Sequence, residues 1–165
     1  MSPETITFRL VPEVRQGSRR AVGFLEGHRE LNAAGEFYDL KQSRKEFLFA
    51  SMDEWTSGGN DITTRFHGFP NDREYPLSFV FKAKEKRLGH RFYGYLYQPK
   101  PMTSPRLQIC VLCIHALKDE SETDRAELER VDEWHKSNAA QAAIRAVYPD
   151  KTKDNEKGRL LPWKM

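Results

Sequence analysis

The chain opens on "ITFRLVP" (Ile6 to Pro12), where Ile6, Phe8 and Leu10 alternate with Thr7, Arg9 and Val11. A period of two predicts a strand, ended by Pro12. The next piece, "EVRQGSRRAVGFLEGHREL", fits a helix or a hairpin. A hairpin turning at Gln16-Gly17-Ser18 and returning from Ala21 to Leu25 fits better, because Gly17 and Gly23 each cost a helix about 1 kcal/mol. The period then lengthens. In "AAGEFYDLKQSRKEFLFASMDEWTSGG", Phe37, Leu40, Phe47, Leu48, Ser51 and Trp55 share one helical face, and Gly58-Gly59 supplies the stop. A turn-rich stretch with Gly68, Pro70 and Asn71-Asp72 follows.

Three strand patterns come next: Leu77 to Glu85, His90 to Gln98, and Leu107 to Leu117. Arg87-Leu88-Gly89 joins the first pair and "PKPMTSPR" the second, so neighbours should be antiparallel. Thr123 or Ser121 then caps a helix patterned by Leu128, Val131, Trp134 or His135, Ala142 and Val147, and Pro149 ends it. This order predicts an α+β fold: a small, mostly antiparallel sheet of about four strands, with helices packed on one face and the other face open. Residues 1–149 would form one domain, with 150–165 a polar tail carrying one short apolar patch, Leu160 to Trp163.

Alternation also assigns side chains to faces. Phe79, Phe81 and Ala83 go one way with Phe92 and Leu96; Lys82 and Lys84 go the other way with Arg91, Tyr93, Tyr95 and Tyr97. The expected open face is therefore basic and aromatic. From Lys82 to Lys100 there are six Lys/Arg against one acid, Glu85, which adds Lys86 and Arg87 to the same end. Basic groups bind phosphates and tyrosine rings stack on unpaired bases, a pattern suited to single-stranded nucleic acid. Tyrosine and lysine pairs also stabilise a sheet face with no ligand, and such a face can serve a protein partner.

Composition narrows the class. At 165 residues, a net charge of +3 and a pI of about 8.8, the chain is mildly basic, so where the charge lies matters more than its total. Cys110 and Cys113, the only cysteines, fall on opposite faces of an apolar strand and read as small buried hydrophobes. No apolar run reaches the roughly 18 residues of a membrane span, and no signal-peptide core is visible, so a soluble, reducing, cytoplasmic setting is expected. The histidines lack ligand spacing, so neither a metal nor a cofactor is expected. His115, at the end of "QICVLCIH", is placed for proton transfer at the sheet rim, or for a structural hydrogen bond.

In three segments the chain resembles the RelE/HigB superfamily of toxins from toxin–antitoxin modules, particularly its phage-derived HigB-like branch. These are the helix "FYDLKQSRKEFLFASMDEW", the hairpin "FVFKAKEKRLGHRFYGYL", and the apolar strand leading into "IHALKDESET". The resemblance implies a RelE-like fold, RNA binding, metal-free endoribonuclease cleavage of mRNA, often ribosome-bound, and neutralisation by a cognate antitoxin. By position it implies that His115, Arg91 and Tyr93 are catalytic. Lys82, Lys84, Lys86, Arg87, Tyr95, Tyr97 and Lys118 would bind RNA.

The chain departs from the family at Asp119, where a second lysine is usual. It also departs in the acidic stretch from Asp119 to Lys136, which carries eight acids and three bases. An acidic helix beside a phosphate site works against binding. The competing reading is a non-enzymatic interaction protein, such as a phage or mobile-element accessory factor, on the same fold.

Overall fold

The computed structural model describes residues 5–17, 19–98, 107–119 and 121–148. Ser18, all of "PKPMTSPR" including Lys100, Pro149 and the tail lie outside the described residues. The first hairpin forms as the pattern implies: β1 (Thr7–Leu10) pairs antiparallel with β2 (Arg20–Glu26), Phe8 opposite Leu25.

The long helical stretch is two helices, α1 (Ala33–Tyr38) and α2 (Gln42–Thr56). Lys41 takes an extended conformation (φ −56°, ψ 147°), which breaks the helix and resets its phase. Leu48, Met52 and Trp55 are therefore buried, while Phe47, expected inside, is 43% exposed. The Arg65 guanidinium lies over the Phe47 ring, 5.2 Å from its centre.

The turn-rich stretch contains β3 (Phe66–Gly68), too short for alternation to reveal. β4 (Ser78–Glu85), β5 (Leu88–Tyr97) and β6 (Gln108–Asp119) follow. Glu85 faces Leu88, so the β4–β5 turn is Lys86-Arg87 rather than Arg87-Leu88-Gly89. The C-terminal helix is also two, α3 (Arg125–His135) and α4 (Asn138–Val147). Ser137 makes the break: its hydroxyl accepts from the Ala140 N–H at 3.2 Å and so starts a new helix.

The sheet is larger and less antiparallel than expected. It has six strands in the order β1-β2-β6-β5-β4-β3. The β2–β6 pair is parallel, with Arg20 opposite Gln108, and every other neighbouring pair is antiparallel. The expected open face is covered. Helices α1 and α2 close one side over Phe24, Phe37, Trp55, Phe81 and Phe92. Helices α3 and α4 close the other, where Leu128, Val131 and Ile144 bury against Tyr93, Tyr95 and Ile114. An apolar helical stripe must find apolar surface, and large aromatic rings offer much of it.

One irregularity decides which residues share a face. Along β5 and β6, Tyr93 faces Ile114 but Gly94 faces Leu112, which leaves Cys113 as the extra residue of a β-bulge. A one-residue offset moves every later side chain to the opposite face. Beyond the bulge, Ile114 joins Tyr93 on the α3 side, and Ala116 and Lys118 lie opposite Arg91 and Gly89. His115 turns to the α1 side. Gly94 permits the close approach, since a Cβ there would meet the Val111 carbonyl oxygen at 2.2 Å.

Candidate functional site

Past the bulge, the α3-side face carries a ladder of cations on three neighbouring strands. Cross-strand registers put Lys82 opposite Arg91, and Gly89 between Lys84 and Lys118. Helix α3 covers Tyr93 and reaches this end of the sheet with its first turn, which buries Arg91 and Lys118 and leaves Lys84 exposed. What remains is a groove of about 270 Å³ lined by Lys82, Lys84, Arg91 and Lys118, with Thr63 and Thr64 along its outer edge. Four cations and no carboxylate line it among the described residues.

The groove is held from beneath by α3 and the residues before it. The Arg91 guanidinium donates to Asp124 Oδ1 at 2.6 Å and to the Asp119 carbonyl at 3.2 Å. Tyr93, fully buried, donates its hydroxyl to the same Asp124 oxygen. Burial, then the neighbouring Asp124 carboxylate, push the Tyr93 phenol up, so it stays a donor. Lys118 Nζ pairs with Glu127 Oε1 at 2.5 Å and donates to the Thr123 carbonyl. Arg91 and Lys118 are thus fixed in position, while Lys84 is exposed and Lys82 half-exposed.

A second basin sits around the β4–β5 turn. Lys41, Arg44, Lys86 and Arg87 line it together with Glu85 and Asp119. Lys86 adopts a left-handed φ of 58°, which turns the chain at the tip. Basin and groove adjoin through Lys84-Glu85 and Lys118-Asp119.

His115 is not part of either. It lies on the opposite face, against Phe92 (ring centres 4.8 Å apart) and bonded to His90, Nδ1 to Nε2, at 2.9 Å. His90 in turn contacts Glu85 at 3.3 Å, and Arg44 lies 3.2 Å from Glu85. Asn32 anchors the strand here, accepting from the His115 N–H at 2.8 Å. Burial, then the adjacent His90, lower the His115 pKa to about 4, so the ring is neutral near pH 7. The trio of His115, Arg91 and Tyr93 is therefore not assembled: the bulge at Cys113 separates His115 from the other two.

Compared with protein-family models, curated proteins and solved structures, the chain matches none.

The remaining sequence candidates divide by location. Lys82, Lys84, Arg91 and Lys118 converge on the groove, and Lys86 and Arg87 on the basin. Tyr95 is 1% exposed and stacked on His135 at 4.7 Å, so it presents no face to a base. Tyr97 is half-buried and lines a separate hollow with His135 and Arg145 at the far end of β5. Cys110 and Cys113 are free, buried and in different cores, as their spacing implies. Burial pushes both thiols up, away from thiolate reactivity.

Thr63, Thr64 and the acids Asp124 and Glu127 were not legible as site residues. The threonines sit in a turn without periodicity, and the acids read as a solvated helix start. Among the described residues, no group of His, Cys, Asp and Glu could hold a metal, and no helix is long and apolar enough to cross a membrane.

Proposed function

We propose that the protein binds RNA by its backbone, with phosphates seated in the groove of Lys82, Lys84, Arg91 and Lys118. The carrying observation is the convergence of four cations on one concave surface, two of them held in place by ion pairs with Asp124 and Glu127 of α3. Arginine and lysine in that arrangement take phosphate oxygens with charge-assisted hydrogen bonds, and the threonine hydroxyls add neutral donors. The basin around the β4–β5 turn adds Lys41, Arg44, Lys86 and Arg87, though Glu85 and Asp119 line it too, with Arg44 3.2 Å from Glu85.

The resemblance to the RelE/HigB superfamily points the same way. Its basic strand residues and strand arginine correspond to Lys82, Lys84 and Arg91, all in the groove. On that reading the RNA is mRNA and the physiological partner is an antitoxin that covers the same cations. Any cleavage draws on groups of the groove itself, with His115 excluded by its face. Tyr93 supports the groove through Asp124, and Tyr95 is core against His135, so neither stacks bases.

The test is fluorescence anisotropy with an unstructured single-stranded RNA at low and high salt. The Lys82→Ala/Lys84→Ala protein should bind more weakly, and the slope of log affinity against log salt should shrink by about 1.4, or 0.7 per lost phosphate contact. No RNA binding at low salt, by the parent or with Asp124 neutralised, or equal binding by the double variant, would refute the assignment.

A further inference from the structure

We propose that the first turn of α3 is a built-in competitor for the groove: Asp124 and Glu127 occupy Arg91 and Lys118 in place of RNA phosphates, and release them when RNA binds. This rests on the groove being the RNA site.

Both contacts are direct. Asp124 Oδ1 stands 2.6 Å from Arg91, and Glu127 Oε1 stands 2.5 Å from Lys118. Carboxylate and phosphate oxygens are interchangeable partners for these cations, so each acid marks a place a phosphate oxygen can take. The acidic stretch that works against RNA binding by its charge thus has a position, on two of the four groove cations.

Asp124 also has somewhere else to go. It occupies the N-cap position of α3, yet its side chain makes no capping bond. An aspartate there ordinarily accepts a backbone N–H from the first turn. Its carboxylate is instead turned to Arg91 and Tyr93. Freed from Arg91, it can cap the helix, which gives one side chain two satisfied arrangements. Glu127 has a second partner too: Arg130, one turn along, is 3.6 Å away. Arg91 and Lys118 then have two alternative sets of partners, the acids of α3 or phosphates.

Such a site selects for polyanions. A phosphate chain held at any one groove cation raises the local concentration of its next phosphate at the others. An isolated phosphate has no such help against carboxylates already in place.

The experiment compares the full-length protein with Asp124→Asn and Asp124→Ser, both of which keep a capping side chain and remove the charge. Affinity for the same single-stranded RNA should rise about tenfold in each, with a steeper salt dependence. If a variant loses its cooperative melt, Glu127→Gln tests the Lys118 arm in the same direction. Binding by the parent with no gain in any folded variant overturns the competitor and leaves the RNA site standing. No binding by parent or variants at low salt overturns the RNA site itself. Binding that appears only in the variants supports both.

Discussion

The two faces of the sheet use similar strand residues and reach opposite ends. On the α1/α2 face the cover extends past the bulge. Phenylalanines fill it, and the polar pair at its end, His90 and His115, is sealed against Glu85, Arg44 and Asn32. On the α3/α4 face tyrosines fill the core, and past Tyr93 the first turn of α3 reaches the strand ends, where its acids bury Arg91 and Lys118 while Lys84 is exposed and Lys82 half-exposed. The lesson is that the reach of the covering helix, more than the residue types beneath it, decides how far polar side chains at the strand ends are buried. A histidine at a strand end became structural, and a row of tyrosines became core.

The harshest way to break this division is to attack the bulge that creates it. Gly94→Ala would drive a methyl group into the Val111 carbonyl. Overpacking against backbone should cost about 3 kcal/mol, read as a lower denaturation midpoint. An unchanged midpoint would mean that the bulge does not depend on this close approach.

A gentler probe asks whether the sealed face is really sealed. His115 is a base whose cation is disfavoured in the folded state. Its folded pKa is about 4, against about 6.5 when unfolded. The unfolded chain therefore takes up a proton first as pH falls. Stability should be full above about pH 6.5 and decline by about 2–3 kcal/mol toward pH 4. His67 and His135, both lowered chiefly by burial, add to the same slope. Denaturant melts across this window should show the decline, and His115→Gln should flatten part of it. A slope identical in the variant would reassign the linkage to the other histidines.

The smallest expected effect sharpens the tyrosine face. Tyr93→Phe removes one hydroxyl donor but leaves Asp124 bound to Arg91. It should cost about 1 kcal/mol. If Tyr93 instead stacked on bases from solvent, stability would not move.

Much of the layout was legible because it obeys a period. The first hairpin, the strands from Ser78 to Tyr97, the split of Cys110 from Cys113, and the shared face of Lys82 and Arg91 all follow from alternation. Three things were hidden, each for a physical reason. An uninterrupted apolar run such as "QICVLCI" has no polar beat, so an extra residue in it leaves no mark. Gly94, alone inside a strand pattern, was the one available hint of a bulge. A tyrosine row reads the same buried or exposed, since the ring is apolar and its hydroxyl polar. The pairing of β2 with β6 joins segments most of the chain apart and has no local signature. β2, the ambiguous piece, and β3, too short to show a period, make six strands where about four were expected.

The place of β6 in the strand order has a consequence for how the molecule is made. It lies at the centre of the sheet, yet of the six described strands it is the last to be synthesised. Until it arrives, the nascent chain holds two separate half-sheets, β1-β2 and β3-β4-β5, each with a bare hydrogen-bonding edge facing the gap. Neither half can close its core, because Ile109, Cys110, Val111 and Leu112 supply the shared middle of both. Folding should therefore be a late event relative to synthesis, and slow for a chain of this size, since its decisive contacts are long-range. The cation groove, which takes Lys118 from this strand, comes into being in that same final step.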